Sequence, residues 1–131
     1  MSRYPLGQYE ADSITSRTGK KLSEITLEEV KKGNIKADDI KISKETLKKQ
    51  GEVAMDADNP AMAGNFERAS ELVDVPDEVI LKMYNKLRPN RSTKLELVEM
   101  AKELLEKYHA VNCAKLVMEA AEIYEKRGIL L

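Results

Sequence analysis

Apolar and polar positions alternate along this chain with the period of a helix far more often than with that of a strand. The clearest case begins after Asn59-Pro60, a break signal. There Met62, Phe66, Ala69 and Val73 fall on one face of a helix expected over 61–73. Asp74-Val75-Pro76 ends it. Pro76 suits the first position of a new helix, with Asp77 and Glu78 in the first turn facing the positive end of the helix dipole. That helix is read with Val79, Ile80, Met83, Tyr84 and Leu87 on the inner side and Asp77, Lys82, Asn85 and Lys86 on the outer. Arg88 closes it, because Pro89 disfavours helical geometry in the residue before it. Thr93 with Glu96 makes a capping box. A long helix follows to about His109 with Leu97, Ala101, Leu104 and Tyr108 as its stripe, which Leu95, Val98 and Leu105 widen. The last helix, about 112–127, gathers Ala114, Val117, Met118, Ala121 and Tyr124, and Gly128 stops it. Neither Gly nor Pro marks 109–112, so the pattern leaves a turn and a continuous helix equally open there.

The first part of the chain is less regular. Residues 1–24 are polar, punctuated by Pro5, Gly7 and Gly19, and read as an extended N-terminal arm with Tyr4, Pro5 and Leu6 as its apolar cluster. Thr26 and Glu29 form another capping-box pair, opening a short helix over 27–32 that Gly33 closes. Such a helix needs tertiary contacts to persist. Ile40 and Ile42 alternate with polar residues and suggest a brief extended piece. Ser43 can cap a helix over 44–57, whose stripe of Leu47, Ala54 and Ala57 is interrupted by Gly51.

Together these elements predict an all-α fold, a mainly helical domain over 25–131 behind the arm. Composition agrees. Only 5% of residues are aromatic, with one Phe and no Trp, so the core rests on aliphatic residues that favour helices. The length of 131 residues suits one domain. A net charge of −1 with interspersed signs argues against nucleic acid as partner, since counterion displacement needs a basic face. No stretch approaches the roughly 20 apolar residues of a membrane span, and none before Glu24 has the length of a secretory signal. The single Cys113 suits a reducing compartment, and the expectation is a cytoplasmic protein with no membrane partner.

The chemical inventory is thin. Glu106-Lys-Tyr-His109 has the spacing of a dimetal bundle ligand pair, but such sites need the motif on two helices and His109 is the only histidine. His109 and Cys113 would be neighbours on a continuous helix, yet no third orienting group or oxyanion site accompanies them. Thr18-Gly19-Lys20-Lys21 lacks the earlier glycine of a phosphate loop, and Lys21 stands where Ser or Thr should coordinate magnesium. Asp56-Ala-Asp58-Asn-Pro60 begins like a calcium loop, but Pro60 occupies a ligand position. No catalytic, cofactor-binding or metal-ligating residue is therefore assigned. Arg88 and Arg91 place two guanidinium groups at a helix junction, where planar pairing with carboxylates of a neighbouring subunit is the favoured use over an anion site. Tyr4 and Leu6 are the anchor of the arm if it lies on a partner. These four are the candidate subunit-interface residues.

The order of short segments carries more. Tyr4-Pro5-Leu6 is followed by Thr18-Gly19-Lys20, Ile25-Thr26-Leu27-Glu28, Ile42-Ser43 and Thr46-Leu47 with Gln50. Then come Asn65-Phe66-Glu67-Arg68-Ala69, Val75-Pro76-Asp77-Glu78, Tyr84-Asn85, Leu87-Arg88-Pro89 and Arg91-Ser92-Thr93, and finally Glu119-Ala120-Ala121 and Tyr124 with Arg127. This series, spanning nearly the whole chain, resembles the small subunits of coenzyme-B12-dependent diol and glycerol dehydratases. The resemblance implies a dimer of heterotrimers of large, medium and small subunits that converts 1,2-propanediol or glycerol to an aldehyde. Adenosylcobalamin would be held between the large and medium subunits, the substrate in the large one, and the small subunit would pack on the large one without a catalytic residue. Asn65-Phe66-Glu67-Arg68-Ala69, Ser92-Thr93-Lys94 and Cys113 lean towards the diol form. That form in its familiar version carries a longer N-terminal segment associated with bacterial microcompartments. Little precedes Tyr4 here, which weakens the expectation of encapsulation. The competing expectation is a free-standing helical adaptor or regulatory module of shared ancestry.

Overall fold

The computed structural model of the chain describes residues 2–131. Met1, where the expected arm begins, lies outside the described residues. The chain is all-α, and among the described residues the only strand-like pairings are two isolated bridges, Thr15 with Lys21 and Ser16 with Ile42. In chain order the α-helices are α1 (Leu6–Tyr9), α2 (Leu27–Lys31), α3 (Lys44–Asp56), α4 (Pro60–Leu72), α5 (Asp77–Lys86), α6 (Lys94–Tyr108) and α7 (Val111–Arg127). Three single 3₁₀ turns, Ala11–Ser13, Leu22–Glu24 and Ala37–Ile40, join the early elements. The last of these lies where the alternation around Ile40 suggested an extended piece, and only Ile42 enters a bridge. The chain gathers into two compact units, one ending at Val73 and the other running Asp74–Leu131.

In the first unit α3 packs against α4. Ser43 caps α3, its hydroxyl accepting from the Thr46 N–H, and the Asn59 side chain accepts from the Met62 N–H to cap α4, with Pro60 at the first helical position. Leu47 and Ala54 of the expected α3 stripe are buried, whereas Ala57 and Met62 are exposed. Gly51 brings the two helices close: a Cβ there would sit 3.5 Å from Phe66 Cβ. The segment before Glu24 has short-range order of its own. It is tied to α3 by Ser2 N–H donating to Glu52 Oε2 at 2.9 Å and by Lys49 Nζ donating to Glu10 Oε1 at 3.3 Å and Ser13 Oγ at 2.8 Å. Thr26 caps α2 as its half of the capping box, accepting from Glu29 N–H, but the Glu29 carboxylate turns to the Asn34 side chain at 2.7 Å instead of back to Thr26.

In the second unit α6 and α7 pack along each other. Leu97, Ala101 and Leu104 of the expected α6 stripe are buried as its period requires, Leu97 wholly enclosed, while Tyr108 is half-buried. Met100, outside that stripe, is buried too, while Leu95 and Leu105 face solvent. From α7, Ala114, Val117 and Ala121 complete the core and Met118 faces outward. The two helices are not continuous. His109 adopts the left-handed conformation, φ 55°, and Ala110, wholly buried, donates its N–H to the Leu104 carbonyl at 2.9 Å. The expected end at Gly128 is a left-handed cap of the same kind, φ 67°.

Candidate subunit-contact surfaces

Of the four candidate contact residues, Tyr4 and Leu6 belong to the first unit and Arg88 and Arg91 to the second. Tyr4 precedes α1 and Leu6 opens it. Their placement follows from the ties at either side: Ser2 reaches Glu52, and the Arg3 N–H donates to Glu10 Oε2 at 2.8 Å. The Arg3 guanidinium also lies 3.9 Å from the centre of the Tyr9 ring, a cation–π contact. These bonds hold the carboxyls of both glutamates below the ordinary glutamate range. For Glu10 the leading cause is the Arg3 N–H, and for Glu52 it is the Ser2 hydroxyl. Tyr4 and Leu6 thereby come together over an apolar groove of about 380 Å³ floored by Val53, Ala54 and Phe66. Tyr4 is 75% exposed there, a large ring on the rim with little of its own surface covered.

Arg88 and Arg91 flank the junction between α5 and α6, and both are exposed. The backbone carrying them is tightly fixed. Tyr124 Oη donates to the Leu87 carbonyl at 2.6 Å, and Ser92 Oγ to the Lys86 carbonyl at 2.8 Å. The C-terminal residues close over the same loop: Asn90 N–H donates to the Ile129 carbonyl, and Leu131 N–H to the Ser92 carbonyl, each at 2.8 Å. Asn90 takes φ 59°, a conformation its short polar side chain tolerates. Nearby, Lys94 Nζ pairs with Glu125 Oε2 at 2.8 Å, and that hydrogen bond raises the lysine above its ordinary pKa.

Sequence reasoning misplaced one residue of this region. Tyr84, expected on the inner side of α5 with Met83, is 68% exposed, and Leu81 one turn before it is 63% exposed. The helix turns 100° per residue, so Met83 and Tyr84 cannot both point squarely inward, and the burial of Met83 with the partial burial of Val79, Ile80 and Leu87 settles which does. Nothing in the sequence separates the two, since apolar positions on both faces of a short helix share its period.

The rejected motifs find structural uses. Thr18 Oγ1 donates to Asp39 Oδ1 at 2.6 Å, the leading cause of a lowered pKa for that aspartate. Asp58, φ 57°, and the Asn59 cap make the link from α3 to α4. Glu106 is on α6 while His109 is its exposed cap, and Cys113 is buried in α7, so neither pairing read from the sequence shares a helix face. Among the described residues no cluster of His, Cys, Asp or Glu could hold a metal ion, and no helix is long and apolar enough to cross a membrane.

A family model described as dehydratase small subunit matches residues 1–131. The chain belongs to that family. The propanediol dehydratase small subunit of Citrobacter freundii is 46% identical over 124 residues, spanning 95% of this chain and 72% of that protein. That of Salmonella typhimurium strain LT2 is 45% identical over 127 residues, spanning 97% of this chain and 73% of the other. Membership makes the chain one component of a dehydratase, a lyase, alongside other subunits.

The resemblance implies cobalamin in the assembled enzyme. The only imidazole is on the exposed cap between α6 and α7, and the groove beside Tyr4 is shallow, of a volume suited to a small apolar group rather than a corrin. The residues of this chain do not fit that cofactor.

Proposed function

We propose that this chain is the non-catalytic small subunit of an adenosylcobalamin-dependent dehydratase that converts a 1,2-diol to an aldehyde and water. It packs on the large catalytic subunit and stabilises it, in a cytoplasmic dimer of heterotrimers completed by a medium subunit. The observation that carries this reading is the 45–46% identity, over nearly the whole chain, to small subunits named for propanediol dehydratase. The same names favour 1,2-propanediol over glycerol as the preferred substrate. The polar side chains that sequence patterns flagged for chemistry serve as caps and turn contacts, which supports a role in contact rather than in reaction. Tyr4, Leu6, Arg88 and Arg91 are proposed as interface residues.

Reconstitution tests the proposal. The chain is co-expressed with the large and medium subunits, and dehydration of propanediol and of glycerol is measured with added adenosylcobalamin. The expected outcome is co-purification of all three chains, full activity only when this chain is present, and faster turnover of propanediol. Equal activity from the large and medium subunits alone would refute the stabilising role. Failure to co-purify would favour a free-standing adaptor.

A further inference from the structure

We infer that residues 2–13 form a strap that opens and closes over the apolar groove between α3 and α4, latched by Lys49 and Glu52 and hinged at Ile14. Every hydrogen bond from the strap to α3 goes to one of these two side chains, which stand one turn apart on that helix. Glu52 accepts from the Ser2 N–H at the free end, and Lys49 donates to Glu10 and Ser13 close to the hinge. The backbone hydrogen bonds within the strap are local, running to the carbonyls of Pro5, Leu6 and Glu10. Among the described residues no backbone bond joins it to α3 or α4. Past Ile14 the attachment changes in kind. Thr15 and Ser16 enter bridges with Lys21 and Ile42, the Arg17 N–H donates to the Lys41 carbonyl at 2.8 Å, and Thr18 is bonded to Asp39.

Apolar burial adds little to the hold. Neither α1 nor the 3₁₀ turn after it contains a buried residue, and the Tyr4 ring is mostly exposed. A segment with few buried contacts and solvent-exposed ties opens at low free energy, ahead of the helices beneath it. It moves as one piece, because the Arg3 N–H bond to Glu10 and the Arg3 guanidinium over the Tyr9 ring tie its two ends to each other. Closed, the strap lays Tyr4 and Leu6 along the groove; open, it leaves Val53, Ala54 and Phe66 facing solvent. The Lys49–Glu10 pair sets the balance. Its side chains are 26% and 24% exposed, so dissolved ions reach the pair, and rising ionic strength shifts the population towards the open form.

The test follows the full chain at neutral pH by amide NMR shifts and by the emission of Nile red, a neutral dye that brightens on apolar surface, at low and at high salt. Lys49→Gln is expected to raise the open population roughly two- to fivefold. The amides of Leu6 and Tyr9 should then move together with those of Val53 and Phe66, the dye should brighten, and the Thr18 amide should stay in place. Raising the salt should move the same signals in the unmodified chain and should have little further effect on Lys49→Gln. Lys48→Gln makes the same change of charge at an exposed neighbour without a tie to the strap, and it should leave every signal unchanged. Lys49→Arg should stay closed at low salt. Glu10→Gln with Ser13→Ala weakens the same latch from the strap side without altering α3, and should reproduce Lys49→Gln. Unchanged signals in both latch variants would overturn the inference, as would movement confined to Ser2 and Arg3, the pattern of a simply fraying terminus. Either result leaves the functional reading above untouched, because the strap is argued from contacts within this chain alone.

Discussion

The hydroxyl of Tyr124, near the end of α7, donates a 2.6 Å hydrogen bond to the backbone carbonyl of Leu87, the residue that caps α5. A helix C-terminus leaves its last carbonyls without intrahelical partners, and this one is satisfied from 37 residues away. Tyr124→Phe keeps the ring and deletes only the donor. It is expected to cost about 1 kcal/mol, the usual net worth of such a bond. Thermal or urea unfolding of the two proteins measures it, and an unchanged midpoint would show that water replaces the tyrosine without loss.

Gly51 offers the opposite opportunity. It sits inside α3, where glycine is unfavourable relative to alanine by roughly 0.5–1 kcal/mol. A methyl group there would meet Phe66 Cβ at 3.5 Å and the Ala63 carbonyl oxygen at 3.7 Å, both ordinary van der Waals separations. Gly51→Ala is therefore expected to raise stability by up to about 1 kcal/mol. A lower melting temperature would mean that α3 and α4 are packed too tightly to accept the methyl.

At His109 the strain is in the backbone, not in packing. With φ 55° and an exposed side chain, His109→Gly should be neutral or stabilising. A β-branched residue suits this conformation badly, so His109→Val should destabilise by about 1–2 kcal/mol. Equal melting temperatures for these two variants would contradict the left-handed cap.

The pH response of the first unit has a defined sign. Glu10 and Glu52 have folded pKa values lowered by the Arg3 N–H and by Ser2 respectively. Their contribution to stability is complete above the unfolded glutamate value of about 4.3 and is lost as the pH falls through the lower folded values. The attachment of the N-terminal segment to α3 should therefore loosen only below about pH 4.3, ahead of the α3–α4 core. Amide exchange or NMR shifts of Ser2 and Arg3 followed across that range report it. Glu52→Gln should abolish the Ser2 part of the transition, and persistence of that part would assign it to another group.

How far the sequence discloses this molecule depends on where each feature gets its stability. Helices α3, α6 and α7 are legible because Ser43, Thr93 and Gly128 announce their ends locally, and because Leu97, Ala101 and Leu104 repeat with the helical period. The break at His109 is not legible, since it depends on burial of Ala110 against α6 rather than on a residue that favours the turn. The order of the first 24 residues is hidden for a similar reason: the bonds from Ser2 to Glu52 and from Lys49 to Glu10 bridge distant positions. Of the proposed contact residues, Arg88 and Arg91 stand out in the sequence as paired cations at a proline-marked junction. The exposure of Leu81 and Tyr84 is not legible, because an exposed apolar residue on a short helix is indistinguishable by period from a core one until the neighbouring helices are placed.

The wholly buried Ala110 at that break has a consequence for how the second unit opens. With no glycine or proline to hold the turn by itself, the reversal between α6 and α7 survives only while both helices enclose Ala110 and Leu97. Neither helix can then fray far inward without releasing the other. In slow hydrogen exchange the central amides of α6 and α7 should share one opening free energy and behave as a single cooperative block, with protection lost in both at the same denaturant concentration.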